Sequence, residues 1–382
     1  MNDTELMRRA LGLGRRARHG SPPNPWVGAV VVADGGVVGE GWTQPLGGPH
    51  AEVVALGEAG ERAKGATMYV TLEPCSHHGR TPPCVDAIVA AGIRRVVASI
   101  VDPDPRVAGR GFLALQRAGV AVEVGVESTR SVQELIPYLV QRRLGRPWVR
   151  AKVAMTLDGR VADRTGASQW ITSPAARDRG HELRAESQAV VVGAETMEAD
   201  HPLLTARPGG GEAPTQPERW VFAHRSLSYC TPGVQVSTAA PQEFLDDLGS
   251  RGVLSVLIEG GPTLQGSFFA EGLVDEVYVY LAPMIFGDDE AKAAFHLPVG
   301  RLLVDPMQLI PMGMQSVGAD IELCLWSERA NAVAAALNAE LSHEAAATVD
   351  QSGAHIREGA SVLPQWSSIG ERSTHTSSPD EA

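Results

Sequence analysis

Cysteine is scarce in this chain: there are four in 382 residues. So few thiols, without dense pairing, exclude a disulfide-stapled secreted scaffold and fit a reducing cytoplasm, where closely placed thiols more often hold metal. Long apolar runs are missing too. Although 43% of the residues are hydrophobic, no stretch reaches the roughly 20 apolar residues that a membrane-spanning helix needs. The opening MNDTELMRRALGLG carries acids and lacks the apolar segment of a secretory signal. Positive charge is also short: a formal net charge of −12 argues against a general nucleic-acid surface. It leaves room for a small phosphorylated substrate held by a few arginines. No short internal repeat is visible.

What is present reads as two domains with an appendage. From Thr4 to about Arg143, helical patterns alternate with the β-branched runs VGAVVVAD, MYVTLE, RRVVASIV and VAVEVGV. This alternation predicts a sheet with helices on its faces. The DGG at Asp34–Gly36 predicts a hairpin turn. After the Gly/Pro break in RRLGRPWV, a second set of strands is expected in WVRAKVAM, QAVVVG, RWVFA, LSVLIEG and DEVYVYLAP. The expected division is 1–145, 146–326 and a 327–382 extension. In that extension NAVAAALNAELSHEAAA forms a helix, and the rest has a disordered composition. Deleting residues 330–382 is expected to leave the activities of both domains intact.

Two of the four cysteines fall in one stretch, TLEPCSHHGRTPPC, downstream of a lone His-Ala-Glu. His50, Cys75 and Cys84 offer an imidazole and two thiolates, a donor set suited to tetrahedral zinc with the fourth place free for water. Glu52, two residues past His50, is close enough to take a proton from that water and deliver it to a leaving amine. Zinc nucleobase deaminases carry H-x-E followed by P-C-x-x-C. Here eight residues separate the cysteines instead of two. A purely structural zinc site is the competing reading.

The string HAEVVAL…GATMYVTLEPCSHHGRTPPC, preceded by PPNPWVGAVVV, resembles the deaminase half of the bifunctional riboflavin-biosynthesis deaminase/reductase family, where the long cysteine spacing is normal. The resemblance continues through KVAMTLDGRVADRTGASQWIT, EADHPLLTARP, IEGGPTLQGSFFAEGLVDEVYVYLAP and GADIELCLW. It implies a cytidine-deaminase-like αβα domain followed by a dihydrofolate-reductase-like α/β domain. It also implies two steps: zinc-dependent removal of the 2-amino group of 2,5-diamino-6-(5-phosphoribosylamino)pyrimidin-4(3H)-one, then NADPH-dependent reduction of the ribosyl group to ribityl. A cytoplasmic location and a homo-oligomer are expected. By the same resemblance Asn24 contacts the pyrimidine, while His77, His78 and Arg80 border the pocket. Asn24 as a turn residue, and the histidines as plain loop surface, stay open.

In the second half, LIEGGPTLQGSF reads as a strand, a tight glycine turn and a helix whose free amides suit a phosphate. The resemblance assigns NADPH to Gly261, Pro262, Thr263, Leu264, Gln265, Gly266 and Ser267, with Ala154, Trp170, Thr196 and Asp200. It assigns substrate to Ser168, Arg184, Leu204, Arg207 and Glu259, both arginines suiting the ribose phosphate. Lys152 and Asp200 are expected beside the hydride transfer. A surface lysine and an aspartate capping HPLLT are the alternatives. The family pattern is broken at Ala223 and His224, where a hydrophobic strand is usually followed by Asp-Ser, and at Glu195, Met197 and His201. These departures leave open a degenerate reductase-like module behind an active deaminase. Cys230 and Cys324 are expected to be packing residues.

Overall fold

The computed structural model describes residues 1–350. The disordered composition expected beyond them lies outside the described residues. Helix α1 (Asp3–Gly14) starts at a reciprocal cap, with Glu5 N–H donating to Asn2 Oδ1 at 2.9 Å and Asn2 N–H to Glu5 Oε2 at 3.0 Å. Strands β1 (Gly28–Ala33) and β2 (Gly36–Trp42) form the expected hairpin. Asp34 and Gly35 take φ of 50° and 77°, the left-handed pair that a two-residue turn requires. Next come α2 (Ala51–Ala59), β3 (Thr67–Val70), α3 (Cys84–Ala90), β4 (Arg95–Ala98), α4 (Arg110–Arg117), β5 (Ala121–Val124) and α5 (Ser128–Leu144). The sheet order is β2-β1-β3-β4-β5, with β3, β4 and β5 parallel.

Alternation along the strands feeds two helical layers. Val30, Tyr69 and Val97 meet Leu6, Met7 and Ala10 of α1, while Ala29, Val31, Met68, Val70 and Val96 face the opposite layer. Two glycines of β2 bring α2 close. A Cβ at Gly39 or Gly41 would lie 2.2 Å from the carbonyl oxygen of Ala55 or Ala51, so the helix that begins after His50 rests directly on the strand backbone.

The second sheet is larger. It is built from β6 (Trp148–Thr156), β8 (Ala189–Gly193), β9 (Glu218–Phe222), β10 (Gln235–Ser237), β11 (Ser255–Glu259), β12 (Glu276–Ala282), β14 (Leu309–Val317) and β15 (Asp320–Ser327). Its order is β10-β9-β8-β11-β6-β12-β15-β14, parallel from β10 to β12 and antiparallel thereafter. A small ladder pairs β7 (Arg160–Ala162) with β13 (Lys292–Ala293). One face packs on α8 (Pro241–Ser250) and α9 (Pro262–Ala270) through Phe244, Leu248 and Phe268. The other carries α6 (Pro174–Ala185) and α7 (Ala194–Asp200) through Leu183 and Met197.

Helix α10 (Glu328–Asp350) occupies the Ala-rich stretch, but it is no loose appendage. Leu337 and Leu341 are buried in the first domain's core with Leu135 and Leu139 of α5, beside Trp148 and Trp326. Full burial of each leucine is worth roughly 1.5–3 kcal/mol. Deleting residues 330–382 therefore strips cover from α5, a stability cost that the composition of the segment did not announce. No helix among the described residues is long and apolar enough to cross a membrane.

Candidate active sites

His50 is the residue from which α2 departs, and Cys84 opens α3. Cys75 lies in the loop after β3, tied by the Val85 N–H donating to its carbonyl at 3.2 Å and the Cys84 N–H donating to its sulfur at 3.4 Å. His50 Nδ1 stands 3.6 Å from Cys75 Sγ and 3.3 Å from Cys84 Sγ. The three ligand atoms lie within 4.8 Å of one another, and no other such His/Cys/Asp/Glu group occurs among the described residues. Cys84 donating to Cys75, helped by His50, holds the Cys75 thiol down at about 4 against burial; the same pairing pushes Cys84 up. Two thiols that compete for one proton are both stabilised as thiolates by a dication, so the donor set fits zinc. Glu52 is buried in the first turn of α2, and burial pushes its carboxyl up, with Cys75 adding to the shift and His50 opposing it.

His50, Glu52 and Cys75 line a cavity of ≈ 420 Å³ together with Asn24, His77 and Arg80, Cys84 being buried behind them; His78 is exposed outside it. Sequence reasoning missed six further lining residues, Glu73, Asp102, Asp104, Arg106, Tyr138 and Arg142. Burial raises Asp102 to about 7, against the Tyr138 hydroxyl donating to its Oδ1 at 2.9 Å and the Asp104 N–H. Burial raises Glu73 to about 6, although it accepts N–H bonds from Asp102, Gly109 and Gly111 at 3.2, 2.9 and 2.8 Å. The one available signal was acids standing at strand ends, in TLEPC and VDPDP, where the flanking residues are apolar.

A second cavity, of ≈ 450 Å³, lies at the carboxyl ends of β6, β8 and β11, where open α/β sheets place their ligands. Lys152, Ala154, Ser168, Trp170, Arg184, Thr196, Asp200, Leu204, Arg207, Glu259, Gly261, Pro262 and Gln265 all line it. Thr263, Leu264, Gly266 and Ser267 do not. Leu264 is in the core, a Cβ at Gly266 would lie 1.8 Å from the His296 carbonyl, and Ser267 Oγ donates to the Leu264 carbonyl. Ala223 is buried past the end of β9 and His224 is exposed; neither lines the cavity.

Charge in this cavity is organised around Glu259. Arg184 donates to both its oxygens, at 2.5 and 2.9 Å, and Lys152 Nζ is 3.9 Å away. Although burial opposes it, Arg184 with Lys152 holds Glu259 down at about 2. Burial lowers Lys152, with Glu259 opposing and Arg184 adding to the shift. Lys152 thus points inward, not to the surface. Arg184 is committed to a carboxylate, whereas Arg207 bonds only neutral groups, the Thr205 hydroxyl and, through its backbone N–H, His181 Nδ1 at 3.3 Å. Ser168 Oγ donates to Asp200 Oδ1 at 3.3 Å. Residues 201–207 are not helical, so Asp200 caps nothing there.

Residues 1–100 match the cytidine and deoxycytidylate deaminase zinc-binding region, and residues 147–323 match the RibD C-terminal domain. The riboflavin biosynthesis protein RibD of Escherichia coli strain K12 is 41% identical, the match spanning 85% of this chain and 99% of that protein. The chain belongs to the RibD family. It is a deaminase joined to a reductase of riboflavin biosynthesis, with a cytidine-deaminase-like domain followed by a dihydrofolate-reductase-like one. Among solved structures, form 1 of Acinetobacter baumannii RibD is 36% identical with a TM-score of 0.78, over 85% of this chain and 98% of that one. A Thermotoga maritima diaminohydroxyphosphoribosylaminopyrimidine deaminase/5-amino-6-(5-phosphoribosylamino)uracil reductase is 32% identical with a TM-score of 0.75 over the same shares. A second RibD protein, from Chlamydia trachomatis serovar D, is 43% identical over 74% of this chain and 85% of its own length.

Proposed function

We propose that the first cavity hydrolyses the 2-amino group from 2,5-diamino-6-(5-phosphoribosylamino)pyrimidin-4(3H)-one. The second then reduces the ribosyl group of the product with NADPH, giving 5-amino-6-(5-phosphoribitylamino)uracil. The observation that carries this reading is the buried Glu52 beside a convergent imidazole and two thiols, in a cavity that also holds Asn24, His77 and Arg80. His50, Cys75 and Cys84 hold zinc, which when bound supplies Lewis-acid activation of water. Glu52 takes a proton from the attacking water and passes it to the leaving amine, so that the C–N bond breaks, a C=O bond forms and ammonia departs. Asn24 orients the pyrimidine, and Arg80 at the cavity mouth meets the phosphate.

In the second cavity NADPH, when bound, supplies the hydride. The residues present suit its anionic groups: Gly261 and Pro262 lead into α9, whose first-turn amides face outward from the helix end. The ribosylamine ring opens to an imine before reduction, and protonation of that nitrogen makes its carbon a better acceptor. Lys152 and Asp200, which both line the cavity, are the polar groups that manage this proton. Arg207 grips the ribose phosphate.

The test is a coupled assay on the diamino substrate that follows ammonia and NADPH absorbance together. One NADPH is oxidised per ammonia released. Ammonia without NADPH oxidation would reject the reductase half of the reading. Within that half, Arg207→Ala raises KM for the deaminated intermediate, since a charge-assisted hydrogen bond is worth about 1.5–3 kcal/mol. Asp200→Ala lowers kcat instead, as expected of an interaction made mainly in the transition state. Steady-state rates with NADPH separate the two, and a silent Asp200→Ala would remove Asp200 from the chemistry.

A further inference from the structure

The wall of the first cavity that carries Asp102, Asp104, Arg106 and Val107 is a loop between β4 and α4. Glu73 holds it from inside through the backbone N–H groups of Asp102 and Gly109. On the outside, α10 abuts its end: a Cβ on Gly109 would lie 2.7 Å from Thr348 Oγ1. The neighbouring part of the wall comes from α5. Tyr138 and Arg142 line the cavity, with the Arg142 guanidinium 5.0 Å from the Tyr138 ring centroid and its Nε 3.8 Å from Asp104. One residue further along, Arg143 Nη2 donates to both oxygens of Glu344 at 2.6 Å, and its Nε lies 3.4 Å from Glu340. Both glutamates belong to α10, which therefore grips the two elements, α5 and the loop, that shape one side of the cavity.

Helix α10 begins at Glu328, past residue 323 where the match to the RibD C-terminal domain ends. The geometry points to α10 as a positioning element for the deaminase: an appended helix that sets the substrate-facing wall through the Arg143–Glu340/Glu344 clamp and the contact at Gly109. None of the three clamp residues lines the cavity that holds His50, Cys75 and Glu52. Loosening the clamp therefore degrades how substrate is held and leaves proton transfer alone. The inference rests on the first cavity being the deaminase site.

The experiment uses the full chain. Arg143→Glu places a third acid beside Glu340 and Glu344 and drives α10 from α5. Its expected result is a KM for the diamino substrate raised about tenfold, a loss of about 1.4 kcal/mol of substrate binding. The kcat, the zinc content and the reduction of supplied deaminated intermediate stay unchanged. Adding Glu340→Arg and Glu344→Arg to the same chain restores opposite charges across the contact and returns KM toward wild type. An unchanged KM in Arg143→Glu overturns the proposal, as does a rise that the reversed pair fails to correct. Glu52→Gln run alongside separates the two levels. If it still releases ammonia, the site reading falls and the brace with it; if it is inactive while Arg143→Glu is silent, only the brace falls.

Discussion

Glu52→Gln lowers ammonia release by about 10²–10⁴-fold, the range that a positioned general acid–base contributes. The variant retains the shape of the side chain and all three metal-ligand residues, so about one equivalent of zinc per chain remains bound. Glutamine keeps the volume of this buried side chain, so the packing around α2 is retained. Reduction of supplied deaminated intermediate continues, because the second cavity shares no residue with the first. Elemental analysis with separate ammonia and NADPH assays measures all three quantities. Near-normal ammonia release by a zinc-loaded variant would end the proton-transfer role.

Arg184→Ala has the largest expected effect on stability. Glu259 is buried and leans on Arg184, with Lys152 more distant. Truncating one partner of such a pair leaves an uncompensated buried charge and costs about 3–5 kcal/mol, which lowers the unfolding temperature by on the order of 10 °C. The sign of the pH dependence follows from the depressed carboxyl. The pair's contribution is fully present above the ordinary Glu value of 4.5 and is lost as pH falls through about 2. The wild-type and variant unfolding curves therefore lie furthest apart near neutrality and converge in acid. Replacing both partners with apolar residues, Arg184→Met with Glu259→Leu, recovers most of the stability and none of the reduction. Melting curves between pH 2 and 7 decide this, and a constant gap across that range would show that Glu259 is not the group responsible.

The zinc ligands and Glu52 were legible because their spacing is local: an H-x-E at a helix start and two cysteines bracketing one loop. The inner parallel strands β3, β4, β8 and β11 were equally legible from their buried β-branched runs, whereas the edge strand β10, three residues long with two of them exposed, was not read. The β14–β15 hairpin was not read, because LIPMGMQSV interrupts its alternation with Pro, Gly and a largely exposed face. Other lining residues of the first cavity were hidden for another reason: Glu73, Asp102 and Tyr138 act through partners 29 to 38 residues away that no spacing announces. In the second cavity thirteen of the expected residues line one space while Thr263, Leu264, Gly266 and Ser267 do not, and the partners of those that do were not readable in the chain. Arg184 and Arg207 look alike in the chain, and only the Glu259 contact tells the committed arginine from the available one. The composition of residues 331–347 showed a helix, yet nothing in it says which domain that helix covers.

The placement of α10 also has a consequence for how the protein is made. Arg143 and Glu344 are 201 residues apart. At translation rates of about 5–20 residues per second, the ribosome needs roughly 10–40 s to bridge that distance. During that interval the deaminase strands and α5 are already outside the exit tunnel, with the apolar flank of α5 awaiting a helix not yet synthesised. The domain that emerges first is thus completed last, after the whole reductase sheet has been threaded out.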